Sequence, residues 1–257
     1  MCIEIKNLIY KYSKKGPNIL NDITLKIEPG TINILLGLNG SGKTTLIKTL
    51  VGLNEQYLGS ISYFGKELKE LKILERSKII SFVPQYSDNN LEIFVIDYLS
   101  YGFANRIKFY REPSYEQIQE IKKYANKLGF EYLLNKKLNE LSGGQRQIIN
   151  IFSALLQKTE ILILDEPTSS LDLSNQNFIL NILNKIRKKE NKTIIFSTHN
   201  PNHALFLNSN VILLDKGKIV CVGNSKDIIN IKNLKPIYGE KICLSKNLFY
   251  DEISFDK

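Results

Sequence analysis

Cysteine, histidine and long apolar runs are all scarce in this 257-residue chain, and each shortage removes a class of function. Its three cysteines, Cys2, Cys221 and Cys243, are odd in number and far apart. They offer neither a disulfide framework nor zinc-ligand spacing, and they suit a reducing cytosol. The two histidines, His199 and His203, form an H-x-x-x-H pattern with no third ligand nearby. Pro201 belongs at the first position of a helix with Asn200 as its cap, so the pair does not share a helix face and zinc is discounted. No apolar run approaches the roughly 18 residues needed to span a bilayer. Met1-Cys2-Ile3-Glu4-Ile5 starts as a strand and lacks a basic region followed by an apolar one, so no signal peptide is expected. Internal repeats and low-complexity segments are absent too. What remains is 43% hydrophobic and 24% charged, the balance of a globular protein. The net charge of +9 is read either as attraction to a nucleotide, nucleic acid or an anionic membrane face, or, the favoured reading, as lysines scattered over the surface. The one dense basic run, residues 185–189, falls at a helix end, where cations favour the dipole. Nucleic acid is not an expected partner.

One stretch carries the chemistry. Gly37-Leu38-Asn39-Gly40-Ser41-Gly42-Lys43-Thr44-Thr45 fits the phosphate-loop pattern G-x-x-x-x-G-K-[ST]. Residues 31–36 read as a short buried strand before it, and residues 45–50 as a helix start after it. The glycines let backbone N–H groups turn toward one concavity, and the helix N-terminus adds partial positive charge. Gly37 and residues 39–45 are therefore candidate phosphate contacts. Lys43 would reach the terminal phosphates and the Thr44 hydroxyl would take a Mg²⁺ site.

Strands are expected at residues 3–10, 19–27, 58–64, 79–83, 161–164, 193–197 and 211–214. Short all-apolar strands alternating with helices indicate an α/β fold with a largely parallel, doubly covered sheet. Asp215-Lys216-Gly217-Lys218 reads as a hairpin turn. Residues 87–157 read as a mainly helical inserted lobe. In it, Ser114 and Gln117 make a capping box, Ile118, Ile121, Ala125 and Leu128 recur at helical spacing, and Gly129 stops the helix. Residues 92–110 are rich in aromatics: Phe94, Tyr98, Tyr101, Phe103, Phe109 and Tyr110. The nucleotide-binding core is assigned to 1–86 and 158–230, with a tail at 231–257. Residues 225–257 carry weak signals, read as a short helix and one or two edge strands.

Two further stretches narrow the function. Residues 161–164 form an apolar strand that ends in Asp165-Glu166. A strand-end aspartate can hold Mg²⁺. Side-chain alternation then points Glu166 elsewhere, free to polarise a water for attack on the γ-phosphorus. Leu141-Ser142-Gly143-Gly144-Gln145-Arg146-Gln147 opens a second anion-binding helix terminus. One triphosphate does not need two such sites in one chain. Ser142 and the Gly144 N–H group are read as capping the γ-phosphate of another copy, in a two-fold head-to-tail dimer. Tyr12, just before the first turn, reads by itself as a core or rim aromatic.

Residues 141–147 resemble the signature motif of the ATP-binding cassette (ABC) ATPases. The phosphate loop, Gln85 and Asp165-Glu166 fall in that family's order, and the resemblance runs to about residue 230. It implies a RecA-like ATPase core with an antiparallel β subdomain and an inserted helical subdomain. It implies that Gln85 is the Q-loop glutamine, contacting Mg²⁺ and the attacking water and sensing a membrane partner. Ser170-Leu171-Asp172 resembles the D-loop, which crosses the dimer interface. His199 resembles the switch histidine at the γ-phosphate. Tyr12 resembles the adenine-stacking aromatic, which replaces the core-or-rim reading. Ser142, Gly143, Gly144 and Gln145 would face the partner's nucleotide. ATP and Mg²⁺ are the implied cofactors. The implied partners are a second copy, integral-membrane permease subunits and, indirectly, a substrate-binding protein, at the cytoplasmic face of the cell membrane. Residues 87–110 would receive the permease's cytoplasmic helix, with about half of their aromatics packing inside the lobe. Residues 166–176 and 197–205 resemble the ATPase subunits of importers for iron–siderophore, haem and cobalamin-type chelates. Leu38 and Thr44 depart from the common proline and serine without removing a phosphate donor or the hydroxyl. The alternative, a soluble ABC ATPase acting on nucleic acid or an assembly, usually needs a second cassette or a long coiled coil, and neither is present. A phosphate-loop kinase has no use for residues 141–147.

Overall fold

The computed structural model describes residues 2–85, 91–105, 113–169 and 171–240. β1 (Ile3–Tyr10) and β2 (Leu20–Ile27) pair antiparallel and bury alternate side chains, as a sheet with one solvated face does. β3 (Ile32–Leu36) is buried throughout and leads through a loop into α1 (Lys43–Leu50). β4 (Tyr57–Tyr63) turns into the short β5 (Lys66–Glu67). α2 (Ile73–Ile79) and β6 (Ile80–Val83) follow. Next come α3 (Val95–Ser100), α4 (Tyr115–Lys127) and α5 (Gly143–Leu156). The chain continues with β7 (Ile161–Leu164), α6 (Leu173–Glu190), β8 (Thr193–Thr198) and α7 (Pro201–Phe206). β9 (Asn210–Asp215), β10 (Lys218–Asn224), α8 (Ser225–Ile228) and α9 (Ile231–Tyr238) end the described chain.

The strands form two sheets. One has the order β2-β1-β4-β5 and is antiparallel. The other has the order β10-β9-β3-β8-β7-β6, parallel from β9 to β6, with β10 antiparallel on the edge. This arrangement positions the site. In a parallel sheet all the C-terminal strand ends lie on one rim, where such sheets bind ligands. Leu36 stands beside Thr198, and Val83 and Phe196 stand beside Leu164. The segments after β3, β6, β7 and β8 therefore emerge side by side, and they carry the phosphate loop, Gln85, Asp165-Glu166 and His199.

Three apolar clusters hold the elements together. The first lies between the antiparallel sheet, α1 and one face of the six-stranded sheet, and includes Ile5, Leu46, Ile61 and Ile163. The second covers the other face, where Ile179 and Leu183 of α6 meet Leu162, Ile194 and Phe196. The third fills the helical segment, with Val95, Leu99, Ile121, Ala125 and Phe152. α5 joins the last two, because Ile151 and Ala154 face the sheet while Ile149 and Phe152 face the lobe. Among the described residues, no helix is long and apolar enough to cross a membrane.

The tail is described only in part. Residues 225–240 hold two helices and no edge strand. Asn224 and Asn230 cap them by accepting from the N–H groups of Lys226 and Asn233. Ile228 and Leu234 bury into the second cluster. Residues 241–257 lie outside the described residues. Of the aromatics at 92–110, Phe103 is fully buried and Tyr98 bonds Asn150, while Phe94 and Tyr101 are exposed. Phe109 and Tyr110 lie outside the described residues.

Candidate functional site

The loop after β3 is shaped by close backbone approach. A Cβ on Gly37 would come within 2.3 Å of the Leu214 carbonyl oxygen of β9. Gly42 caps α1 with φ of 106°, a left-handed value that favours glycine. The Lys43 side chain curls back into the loop and is 4% exposed. Its ammonium donates to the carbonyls of Gly37 at 2.9 Å and Leu38 at 3.0 Å. A cavity of about 440 Å³ opens here, lined by Asn39, Gly40, Gly42, Lys43, Thr44, Thr45, Gln85 and Glu166, with Ile19 at its edge. Tyr12 stands nearby, its hydroxyl 3.1 Å from Thr45 Oγ1 and its ring edge-on to Tyr10. That ring is 62% exposed, so it presents a face to solvent rather than to the core.

Two carboxylates meet the loop at the end of β7. Asp165 is buried and accepts from Ser197 Oγ at 2.7 Å and Thr44 Oγ1 at 3.2 Å. Glu166 lies beyond the strand, with φ of 43°. That left-handed torsion, not strand alternation, turns its carboxylate away from Asp165. A non-glycine residue held there costs about 1–3 kcal/mol unless its surroundings fix it. The fixing comes from Ser197, whose Oγ accepts the Glu166 N–H at 2.8 Å. Three groups converge on this buried carboxylate. Lys43 Nζ is 3.2 Å from Oε1, His199 Nδ1 is 3.6 Å from Oε2, and Gln85 Nε2 is 3.4 Å from Oε2.

Residues 142–145 do not line the loop cavity. Ser142 caps α5, accepting from Gln145 N–H at 3.2 Å, while Gln145 Oε1 accepts from Ser142 N–H at 3.1 Å. This is a capping box. Nothing stands within 4 Å of a Cβ placed on Gly143, whereas one on Gly144 would lie 3.2 Å from Leu171 Cδ2. Asp172 caps α6 by accepting from Asn175 N–H at 2.8 Å. Ser170 lies outside the described residues.

Residues 20–169 match the family model of ABC transporters. The chain belongs to the ABC transporter ATP-binding family. Members of that family hydrolyse ATP, and this chain is an ATPase of that kind. It is 33% identical over 239 residues to the "probable iron chelatin transport ATP-binding protein" of Helicobacter pylori (strain ATCC 700392 / 26695), covering 93% of each chain. It is 36% identical over 235 residues to an energy-coupling factor transporter ATP-binding protein of Mycoplasmopsis pulmonis (strain UAB CTIP), covering 90% of this chain and 86% of that one. The inward-facing structure of an ABC transporter assigned to the metal-chelate type superposes with a TM-score of 0.79 at 28% identity, covering 92% of this chain and 88% of that one.

The ABC ATPase chain brings Lys43, Thr44, Gln85, Asp165, Glu166 and His199 to one rim of its sheet. It leaves Ser142–Gln145 and Asp172 apart from the loop cavity. Sequence reasoning missed Ser197, although a hydroxyl inside the apolar run 193–197 was a visible signal. It also missed the capping box at Ser142 and Gln145, although the spacing equals that of Ser114 and Gln117.

Proposed function

We propose that this chain is the ATP-hydrolysing subunit of an importer, energising uptake of a metal chelate such as an iron–siderophore, haem or cobalamin-like compound through a separate permease. The iron chelatin and metal-chelate names of two relatives support the cargo class. The observation that carries the hydrolytic reading is the buried Glu166 carboxylate, with Lys43, Gln85 and His199 within 3.6 Å.

In this reading the N–H groups of residues 37–45 and the Lys43 ammonium hold the triphosphate, and the exposed Tyr12 ring stacks on adenine. Thr44 Oγ1 and Asp165 Oδ1, 3.2 Å apart, with the Gln85 amide, are hard oxygen donors of the kind Mg²⁺ takes alongside phosphate oxygens. Bound there, Mg²⁺ would neutralise charge on the β- and γ-phosphates. Glu166 accepts the proton of the attacking water, Gln85 orients that water, and His199 and Lys43 stabilise charge on the transferring group. The Ser142 hydroxyl and the Gly144 N–H group close over the γ-phosphate of a second copy, with Gly143 and Gln145 beside them, and Asp172 crosses that interface. The permease binds at the cytoplasmic face of the cell membrane, where exposed Phe94 and Tyr101 offer it apolar contact.

Glu166→Gln tests the reading. It keeps the side-chain shape and removes the base, so turnover falls about 10²–10⁴-fold, equal to about 3–5 kcal/mol of barrier. ATP binding persists and the ATP-bound dimer accumulates. Turnover near the wild-type rate sinks the assignment of Glu166 as base.

A further inference from the structure

His203 sits in α7, 2% exposed, with its ring stacked on Phe196 at a centroid distance of 5.7 Å. Its hydrogen bonds join two segments of the site. The Thr198 hydroxyl accepts from Asn200 N–H at 3.1 Å, which leaves its own proton for His203 Nδ1 at 2.9 Å. An accepting Nδ1 puts the ring proton on Nε2, which faces Gln176 Oε1 at 3.3 Å. The Gln176 amide nitrogen donates to the Thr168 carbonyl at 3.3 Å and the Leu171 carbonyl at 2.9 Å, which fixes its oxygen toward His203. Asn200 Nδ2 lies 3.4 Å from the same Nε2, the longer contact on a half-buried side chain. Burial pushes the imidazole down to about 4, so the ring is neutral at physiological pH.

We propose that His203 and Gln176 are positioning residues that lock the segment carrying His199 to the segment between Glu166 and Asp172. The proposal rests on the reading of Glu166 as base and His199 as a γ-phosphate contact. His199 lies between Thr198 and Asn200, the two residues His203 holds. Thr168 and Leu171 lie on the stretch that leaves Glu166 and reaches the α6 cap. Ser169 ties that stretch back to Glu166 by donating its N–H and its hydroxyl to the Glu166 carbonyl, at 3.2 and 3.1 Å. A narrow cleft of about 60 Å³ is lined by both pairs, Glu166 and His199 as well as His203 and Gln176. A displacement of Thr168 or Leu171 would thereby be carried through two side chains to the segment that holds His199. Neither His203 nor Gln176 touches the reacting atoms.

A double-mutant cycle in the full chain tests this. His203→Asn keeps an acceptor near the Nδ1 position and deletes the reach to Gln176. Gln176→Met keeps length and deletes the amide. Each lowers kcat for ATP about tenfold and changes KM less than about twofold, and the double variant falls no further than the worse single one. His203→Gln places an amide nitrogen near the Nε2 position and stays within about threefold of wild type. The half-buried Gln176 variant keeps the test open if His203→Asn fails to fold. Additive losses, unchanged kcat in both single variants, or equal impairment of His203→Gln and His203→Asn at equal Tm overturns the proposal. Glu166→Gln assayed alongside separates the two readings: wild-type turnover there counts against the base, while non-additivity between residues 176 and 203 is judged by itself.

Discussion

Burial holds the His203 imidazole at about 4 instead of its usual 6.5, and the neighbouring His199 pushes the same way. The unfolded chain therefore binds the proton first as pH falls. The stability that comes from keeping this ring neutral is complete above pH 6.5 and is lost as pH drops from there through 4. Between pH 7 and pH 5 the loss amounts to about 2 kcal/mol. Denaturant unfolding of wild type and His203→Asn at both pH values checks this, since the variant lacks the titrating ring and loses that much less. Equal losses would mean that the buried ring is not what titrates. Other single residues differ in how far their amino-acid type announces their place. The position of Lys43 follows from the phosphate-loop pattern. The position of Glu166 does not: alternation foretells the right separation from Asp165, but the cause is a φ of 43° held by Ser197. Glutamate, unlike glycine, asparagine or aspartate, carries no signature of such a torsion.

At the scale of elements, the opening of α5 has two separable duties. Ser142 and Gln145 satisfy each other's backbone N–H groups, so Ser142→Ala costs about 1 kcal/mol and lowers Tm by about 2–4 °C. Aspartate caps as well as serine does, so Ser142→Asp restores Tm. It also sets a carboxylate where the proposed partner's γ-phosphate would lie, so turnover stays low although the helix is intact. A Ser142→Asp protein that is both stable and fully active would reduce this residue to a cap. Elements with strong periodicity were legible in advance, such as α4 with its box at Ser114 and Gln117 and with Ile121 and Ala125 inward. In the described part of the tail, only a short helix was foretold. α8 and α9 are short, and their burial depends on a sheet face that only the folded molecule offers to Ile228 and Leu234. No local pattern encodes that.

At the scale of the whole molecule, the order of parallel strands does what no single motif does. Stretches as far apart as residues 37 and 199 meet because β3, β6, β7 and β8 end on one rim. Pattern foretells those strands, and a parallel sheet foretells their shared rim. Residues 142–145 do not line the loop cavity, which agrees with the proposed pairing of two chains. Mixing two inactive variants tests that pairing. Lys43→Ala disables the loop. Gly143→Asp disables the signature turn, at a position where a Cβ meets nothing within 4 Å. Gly144→Asp is the poorer choice, because its Cβ would press on Leu171 at 3.2 Å and confuse misfolding with lost function. In a head-to-tail pair of the two variants, one site joins both damaged halves and the other joins both intact halves. Random pairing makes half the dimers mixed, each with one whole site, so the equimolar mixture recovers up to about a quarter of wild-type turnover. If each chain completed its own site, the mixture would show no more than the mean of the two inactive proteins.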